Sequence, residues 1–311
     1  MRRYKRFLAD VEFADGTVIT AACPNTGSML GLETPGARVL LSRSDSATRK
    51  YPHTWEMVET TLGDTTSWVG INTSHPNWLV EEAIASGAVA ALAGYPNLRR
   101  EVGYGVNSRI DLLLEANGRA DCYVEVKNVH LARRPGLAEF PDCVTERGRK
   151  HLHELRTMVA EGQRAVMVYL VQRSDCASFA FARDLDPLYM AAFDEAAAAG
   201  VEAIVLGCRL TPEEVVVDRI LPMDGSAVVT LDVPHLPPRL KAAAGPIAAA
   251  VPSRSIPRAD KVPEQQGPRR TVKSPKARAA RPKRPGPKVK KTIAAKSTKR
   301  LRPIAKPAKS P

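Results

Sequence analysis

Residues 122–129 limit what this chain can fold into. Strand side chains alternate faces, so Glu125 and Lys127 share one face of such a strand while Val124 and Val126 share the other. One face is apolar enough for a core. The other carries a carboxylate beside an ammonium, and Asp111 in the preceding apolar run supplies a second carboxylate. Two carboxylates and a lysine suit a divalent cation and phosphodiester chemistry. Mg²⁺ or Mn²⁺ takes hard oxygen ligands and keeps waters, and a bound ion acidifies a water and offsets charge on phosphate. Asp111 and Glu125 are the expected metal ligands, and Asp111, Glu125 and Lys127 the expected catalytic set. The plainer alternative is an exposed strand face with a salt bridge.

Geometry sharpens this expectation. Asn117-Gly118 signals a hairpin between the two strands. A two-residue loop there would pair Asp111 with Val124 and send Glu125 to the opposite face. An odd loop centred on Gly118 pairs Asp111 with Glu125 and Arg109 with Lys127, and that register is the predicted one.

Around the motif the pattern reads as two domains. Leu8 to Phe13, Thr17 to Cys23, Arg38 to Ser42, Tyr51 to Thr60 and Ser67 to Asn72 read as short strands between Gly/Pro turns, which predicts a small β-barrel over 1–72, of the OB kind or another small barrel with the same local pattern. A helix follows, capped by Thr73 or Ser74 with Pro76 in its first turn. Strands are expected at Glu101 to Tyr104, Arg109 to Leu114 and Asp121 to Val129, then a helix from Val144 to Glu161. Ala165 to Val171 is a near-continuous apolar run, as in a sheet centre. A helix from Pro187 to Ala199 and strands from Val201 to Cys208 and Val215 to Leu221 complete a mixed α/β domain over 73–235.

The formal net charge of +13 is unevenly placed. From Lys241 onward 21 Lys and Arg face only Asp260 and Glu264, so residues 1–240 are net acidic. Residues 236–311, rich in Lys, Arg, Pro and Ala, cannot bury enough apolar surface to fold, and a disordered basic tail is expected there. Such charge would release counterions from phosphates without reading sequence. The five cysteines form no CxxC pair, which argues against a disulfide framework and fits a reducing compartment. With no readable signal peptide and no apolar run long enough to span a bilayer, a cytoplasmic protein is expected, with a place at the nucleoid and no membrane partner.

Further candidates surround the trio. Glu82, with Glu81, lies on the first helix, and Gln172 ends the apolar strand; Glu82 and Gln172 are candidates for an outer shell around the carboxylates. Arg43, Arg49, Lys50, Tyr51 and Trp55 mix cations with aromatics as nucleic-acid surfaces do, and Arg173 could meet phosphate. Lys150, His151 and His153 read as phosphate contacts or plain surface. The turn from Cys23 to Met29 is dense in amides and hydroxyls that could hold an anion. The six histidines show no HxxxH or HExxH spacing, which excludes the commonest zinc hydrolase pattern.

These residues resemble the sugar fermentation stimulation protein A family. The matching strings are Arg3-Tyr4-Lys5-Arg6-Phe7, Cys23-Pro24-Asn25-Thr26-Gly27-Ser28-Met29, Arg49-Lys50-Tyr51 with Thr54-Trp55-Glu56, Gly70-Ile71-Asn72-Thr73, Ser108-Arg109-Ile110-Asp111, Tyr123-Val124-Glu125-Val126-Lys127-Asn128-Val129, Phe140-Pro141-Asp142, Arg147-Gly148, Lys150-His151-Leu152 and Val171-Gln172-Arg173. The resemblance implies an N-terminal OB-like domain and a restriction-endonuclease-like PD-(D/E)xK domain, with Asp111 as the acid and Glu125 and Lys127 as the Glu-x-Lys pair. It also implies DNA binding and a bacterial role linked to sugar-utilisation genes. Ile110 stands where the motif has Pro. Two functions are therefore expected: a DNA-binding protein that hydrolyses phosphodiesters with Mg²⁺ or Mn²⁺, or a non-catalytic DNA-binding regulator.

Overall fold

The computed structural model describes residues 2–223 and 227–232. The tail expected over 236–311 lies outside the described residues.

The N-terminal strands are β1 (Arg2–Tyr4), β2 (Leu8–Glu12), β3 (Val18–Ala22), β4 (Val39–Arg43), β5 (His53–Leu62) and β6 (Thr65–Gly70). They form one six-stranded sheet in the order β1-β2-β3-β5-β4, with β6 also paired to β5. Gly16, at φ 83°, turns β2 into β3, and Asp15 accepts the Thr17 N–H at 2.8 Å. β2 to β6 fall where strands were expected and β1 is additional, but the barrel is not closed: among the described residues no ladder joins β1 to β4, and β3 meets β5 through the single pair Ala22↔Thr54. Closure depends on pairing between distant strands, which alternation within each strand does not encode. Ala9, Val11, Ala21, Met29, Val39, Trp55, Val58, Val69 and Ile71 form the core of this sheet.

After it come α1 (Pro76–Ala85), β7 (Asn97–Tyr104), β8 (Ser108–Glu115), β9 (Cys122–Val129), β10 (Leu131–Arg134), β11 (Gly136–Phe140), α2 (Glu146–Ala160), β12 (Arg164–Val171), β13 (Cys176–Phe181), α3 (Pro187–Ala198), β14 (Glu202–Leu210), β15 (Val215–Ile220) and β16 (Val229–Thr230). Seven strands make a mixed sheet in the order β16-β15-β14-β12-β9-β8-β7. β12 runs parallel to β9 and β14 and is buried along nearly its whole length, which explains its unbroken apolar run. One face packs on α1 through Leu79, Val80, Ala83 and Ile84. The other packs on α2 and α3 through Leu152, Leu155, Met158, Tyr189 and Met190.

Local chemistry sets the helix starts. Thr145 caps α2 by accepting the Gly148 N–H at 3.1 Å, and Asp186 caps α3 by accepting the Tyr189 N–H at 3.0 Å. α1 departs from expectation: its N-cap is His75 without a side-chain cap bond, and Ser74 gives both its amide and its hydroxyl to Asn72 Oδ1. The three-stranded sheet β10-β11-β13 was not legible, because its strands are short and one of them, Leu131–Arg134, is half charged.

The two sheets are locked together. The Gly70 N–H donates to the Gln172 carbonyl at 2.9 Å, Val69 bridges to Arg173, and Met57 of β5 enters the core under α1. A Cβ on Gly70 would lie 2.6 Å from Gln172 Oε1, so glycine is needed for this close approach. Buried Glu56 accepts from Ser42 at 2.5 Å and from Asn72 at 2.7 Å, with His75 3.4 Å away.

Trp55 is fully buried and donates its ring N–H to the Met57 carbonyl at 2.8 Å. It is therefore a core residue and not a stacking platform for bases. Trp55→Ala should cost about 3–5 kcal/mol, read as a lower urea midpoint, with DNA retention per folded molecule unchanged.

Candidate functional site: a strand fork with two carboxylates

β8 and β9 pair as Leu112↔Val124, Leu113↔Tyr123 and Leu114↔Cys122. Carried one step further, this register sets Asp111 against Glu125, as an odd loop centred on Gly118 requires. The ladder stops there instead. Asp111 Oδ2 accepts the Val126 N–H at 2.8 Å, so a side chain takes the donor where the strands part. Oδ1 accepts from Asn77 of α1 at 2.8 Å.

The β7–β8 ribbon also turns over at this point. Leu98, Leu112 and Leu114 belong to the core under α1, whereas Val102, Tyr104 and Ile110 belong to the core under α2. Strict alternation would keep Ile110 and Leu112 on one face. Between Arg100↔Leu112 and Val102↔Ile110 stands Glu101, at φ 52°, opposite Asp111. A left-handed non-glycine residue inside a strand is strained, and here it coincides with the turnover that brings Asp111 to the fork.

Glu125 is 2% exposed. Its Oε1 accepts from Lys127 Nζ at 2.7 Å and from His151 Nδ1, while Oε2 is buried with no hydrogen-bond partner. Burial works against the Glu125 charge, but Lys127 and His151 outweigh it and hold the carboxyl below its usual range. Asp111 goes the other way: burial, then the nearby Glu125 charge, push it up to about 6. The Tyr104 hydroxyl is also buried without a partner, and burial followed by the charges of Glu125, Glu154 and Asp111 raises it. Arg147 Nε donates to His151 Nε2 at 3.4 Å, extending the network to the surface.

Among the described residues no three His, Cys, Asp or Glu side chains gather tightly enough to form a complete metal cage. The fork offers two carboxylates, Asp111 and Glu125. His151, Asn77 and Tyr104 are the members that pattern reading missed. Only His151 was singled out by the sequence, as a phosphate contact or plain surface on the long helix.

The outer candidates are sorted by burial. Gln172 is fully buried at the junction of the two sheets, where it donates to Asn128 Oδ1 at 2.8 Å, so it does not support the carboxylates. Arg173 is 2% exposed, paired with Asp175 at 2.6 Å and bonded to the His130 carbonyl, which withdraws it from phosphate. Glu82 is half-buried on α1, and the contact from α1 to Asp111 is made by Asn77. Glu81 pairs with Arg100 at 3.4 Å. Arg43, Arg49, Lys50 and Tyr51 gather at the β4–β5 turn, where Lys50 lies 5.4 Å over the Tyr51 ring and Arg49 bonds Thr54 Oγ1. His153 is exposed on α2.

The turn from Cys23 to Met29 does hold an anion, and the anion is the protein's own. Asp142 Oδ2 accepts the Met29 N–H at 3.2 Å and contacts His130 Nε2 at 3.2 Å. Arg3 clamps the turn by donating to the carbonyls of Asn25 and Gly27 at 2.9 and 2.8 Å.

An open OB-type sheet followed by a helix-flanked mixed sheet with an acidic fork defines a two-domain architecture. The SfsA N-terminal OB domain model matches residues 1–71, and the sugar fermentation stimulation protein RE domain model matches residues 74–214. The chain belongs to the sugar fermentation stimulation protein family. It is 61% identical over 221 residues to a sugar fermentation stimulation protein homolog of Rhodospirillum centenum, covering 71% of this chain and 93% of the relative. The homolog of Agrobacterium fabrum is 56% identical over 222 residues, covering 71% of this chain and 91% of the relative. Among solved structures, SfsA of Pyrococcus furiosus in complex with Ca²⁺ is similar at a TM-score of 0.60 and 25% identity, covering 75% of this chain and 91% of that one. Among the described residues no helix is long and apolar enough to cross a membrane.

Burial opposes the Asp142 charge, but His130, Cys143 and the Met29 N–H together hold its pKa down to about 2, from an ordinary 3.8. Its stabilisation is therefore complete above pH 3.8 and is lost as pH falls through 2. It amounts to about 2 kcal/mol. Asp142→Asn should lower neutral-pH stability by about that amount and flatten the acid limb between pH 4 and 2 in a fluorescence-monitored unfolding series.

Proposed function

We propose that this chain is a DNA-binding protein whose second domain is a restriction-endonuclease-like PD-(D/E)xK unit that hydrolyses phosphodiesters with Mg²⁺ or Mn²⁺. The observation that carries this reading is the state of Glu125: one oxygen is held by Lys127 and His151, the other is buried and bare, and its charge acts on Asp111. A carboxylate prepared in this way, next to a second one raised by its charge, suits a cation that relieves both. Two carboxylates with water and substrate oxygens completing the shell match Mg²⁺ preferences. The Ca²⁺ held by the Pyrococcus furiosus relative supports a divalent ion in this family.

Asp111 and Glu125 Oε2 would hold the ion, which when bound would acidify a water and offset charge on the phosphate. Lys127 Nζ, fixed by Glu125 Oε1, orients the attacking water and faces the charge that grows on the phosphoryl oxygens. His151 keeps Oε1 occupied, so Oε2 remains for the ion. Asn77 and the Val126 N–H fix the Asp111 carboxylate. DNA is held by the cations of the β4–β5 turn and by the basic segment after Pro238. The reducing chemistry implied by five free cysteines, four of them buried, fits a cytoplasmic place of action.

Linear, circular and single-stranded DNA with Mg²⁺ or Mn²⁺ tests this, beside Glu125→Ala and Lys127→Ala. Metal-dependent cleavage, abolished by EDTA and reduced about 10²-fold or more in each variant, is expected. No cleavage by the unsubstituted protein, with DNA retained equally by both variants, would establish the alternative: a non-catalytic DNA-binding regulator of sugar-utilisation genes.

A further inference from the structure

Beside the fork lies a cleft of about 400 Å³ whose walls carry Arg109, Arg147, Lys150 and His151, with Glu101 as the one carboxylate among its lining residues. Resting on the reading of the fork as a phosphodiester site, we infer that this cleft binds a backbone phosphate of the nucleic-acid strand, next to the phosphate at Glu125. Arg109, Arg147 and Lys150 are its ligands.

The first argument is charge accounting. Many arginines of the body are neutralised by acids: Arg133 by Glu139 and Asp184, Arg164 by Glu202, Arg173 by Asp175, and Arg183 by Asp194. Among the described residues, Arg109 and Arg147 have no carboxylate within 4.0 Å, although both line the same cleft. A guanidinium stays charged at any working pH and offers a planar fork of donors that matches phosphate oxygens. Lys150 adds a third cation. Its Nζ donates to the Val106 carbonyl at 2.9 Å and stands 3.6 Å from Glu154, which leans it toward the β7–β8 turn. Three cations face this cleft on a body whose overall charge is acidic.

Placement is the second argument. Arg147, Lys150 and His151 are spaced i, i+3 and i+4, so they share one face of α2. Arg109 is on β8, two residues before Asp111. The cations therefore arrive from the two elements that flank Glu125.

The third argument is a direct connection to the fork. Arg147 Nε donates to His151 Nε2, so the ring proton sits on Nδ1 and is donated to Glu125 Oε1. The two terminal nitrogens of Arg147 make no described bond and remain for an anion. One imidazole thus separates a phosphate on Arg147 from the carboxylate that would hold the ion. Contacts of this kind position a strand and do not read its sequence.

The test uses the full-length chain in EDTA, which blocks cleavage, and a fluorescently labelled single-stranded oligonucleotide followed by anisotropy across a salt series. The variants are Arg109→Gln, Arg147→Gln and Lys150→Gln, singly and combined, with Arg156→Gln as control. Arg156 is on α2 but is paired with Glu195. Thermal midpoints screen each variant for folding, and the single variants carry the test if the combined one unfolds. The combined variant should bind about tenfold or more weakly, and its slope of log K against log salt should shrink by about 0.7 for each cation removed. The control should match the unsubstituted chain. Unchanged affinity and slope in the combined variant, or an equal loss in the control, would overturn the subsite. A lost slope in a protein that never cuts DNA leaves the subsite standing and removes the hydrolytic reading. Cutting with an unchanged slope does the reverse.

Discussion

One hydrogen bond organises the second domain: the Val126 N–H donates to the Asp111 carboxylate and not to a neighbouring strand. The β8–β9 ladder ends at Leu112↔Val124, and the strands part beyond it. A backbone donor left bare inside the sheet would be costly. Asp111 removes that cost by becoming the acceptor, and it is fixed at the mouth of the fork as a result. The turnover of the β7–β8 ribbon at Glu101 puts Ile110 and Leu112 in different cores, so the fork is packed from both sides. Asn77 reaches it from α1 and His151 from α2.

The electrostatics follow from that packing. Two carboxylates share a buried space, and their environments drive them apart. Glu125 receives an ammonium and an imidazole on one oxygen and is held in its charged form; Asp111 receives only neutral hydrogen-bond donors, and burial followed by the Glu125 charge raises its pKa. Divergence of this kind is a mark of sites with a task. Beside the fork, Arg109 and Arg147 stand without an acidic partner among the described residues, whereas buried Arg173 is paired with Asp175.

The junction of the two sheets shows the opposite strategy. Polar groups there are buried and bonded to one another: Glu56 to Ser42 and Asn72, Arg173 to Asp175, and Gln172 to Asn128 through its side-chain amide and to Gly70 through its main-chain carbonyl. The Cys23–Met29 turn, which looks like an anion site in sequence, spends an amide on Asp142. Residues that seemed ready for a ligand serve instead to hold the sheets and loops in register.

Sequence alone determined much of the local structure. Alternation and turn residues marked most strands, the unbroken apolar run marked β12 as central, and Thr145 and Asp186 precede helices that they cap. Spacing put Glu125 and Lys127 on one strand face, and Gly118 implied the register that opposes Asp111 to Glu125. These features depend on neighbours a few residues apart, where backbone geometry leaves little choice. Tertiary structure alone decided the rest. Trp55 and Arg173 looked like nucleic-acid contacts and Gln172 like an outer partner of the carboxylates, because side-chain type says nothing about which residues from distant strands will cover them. His151 lies 26 positions from Glu125 and became its partner only through the packing of α2 on β9. The reversal of faces at Glu101 breaks the period on which sequence reading rests, and the fork exists because of that break.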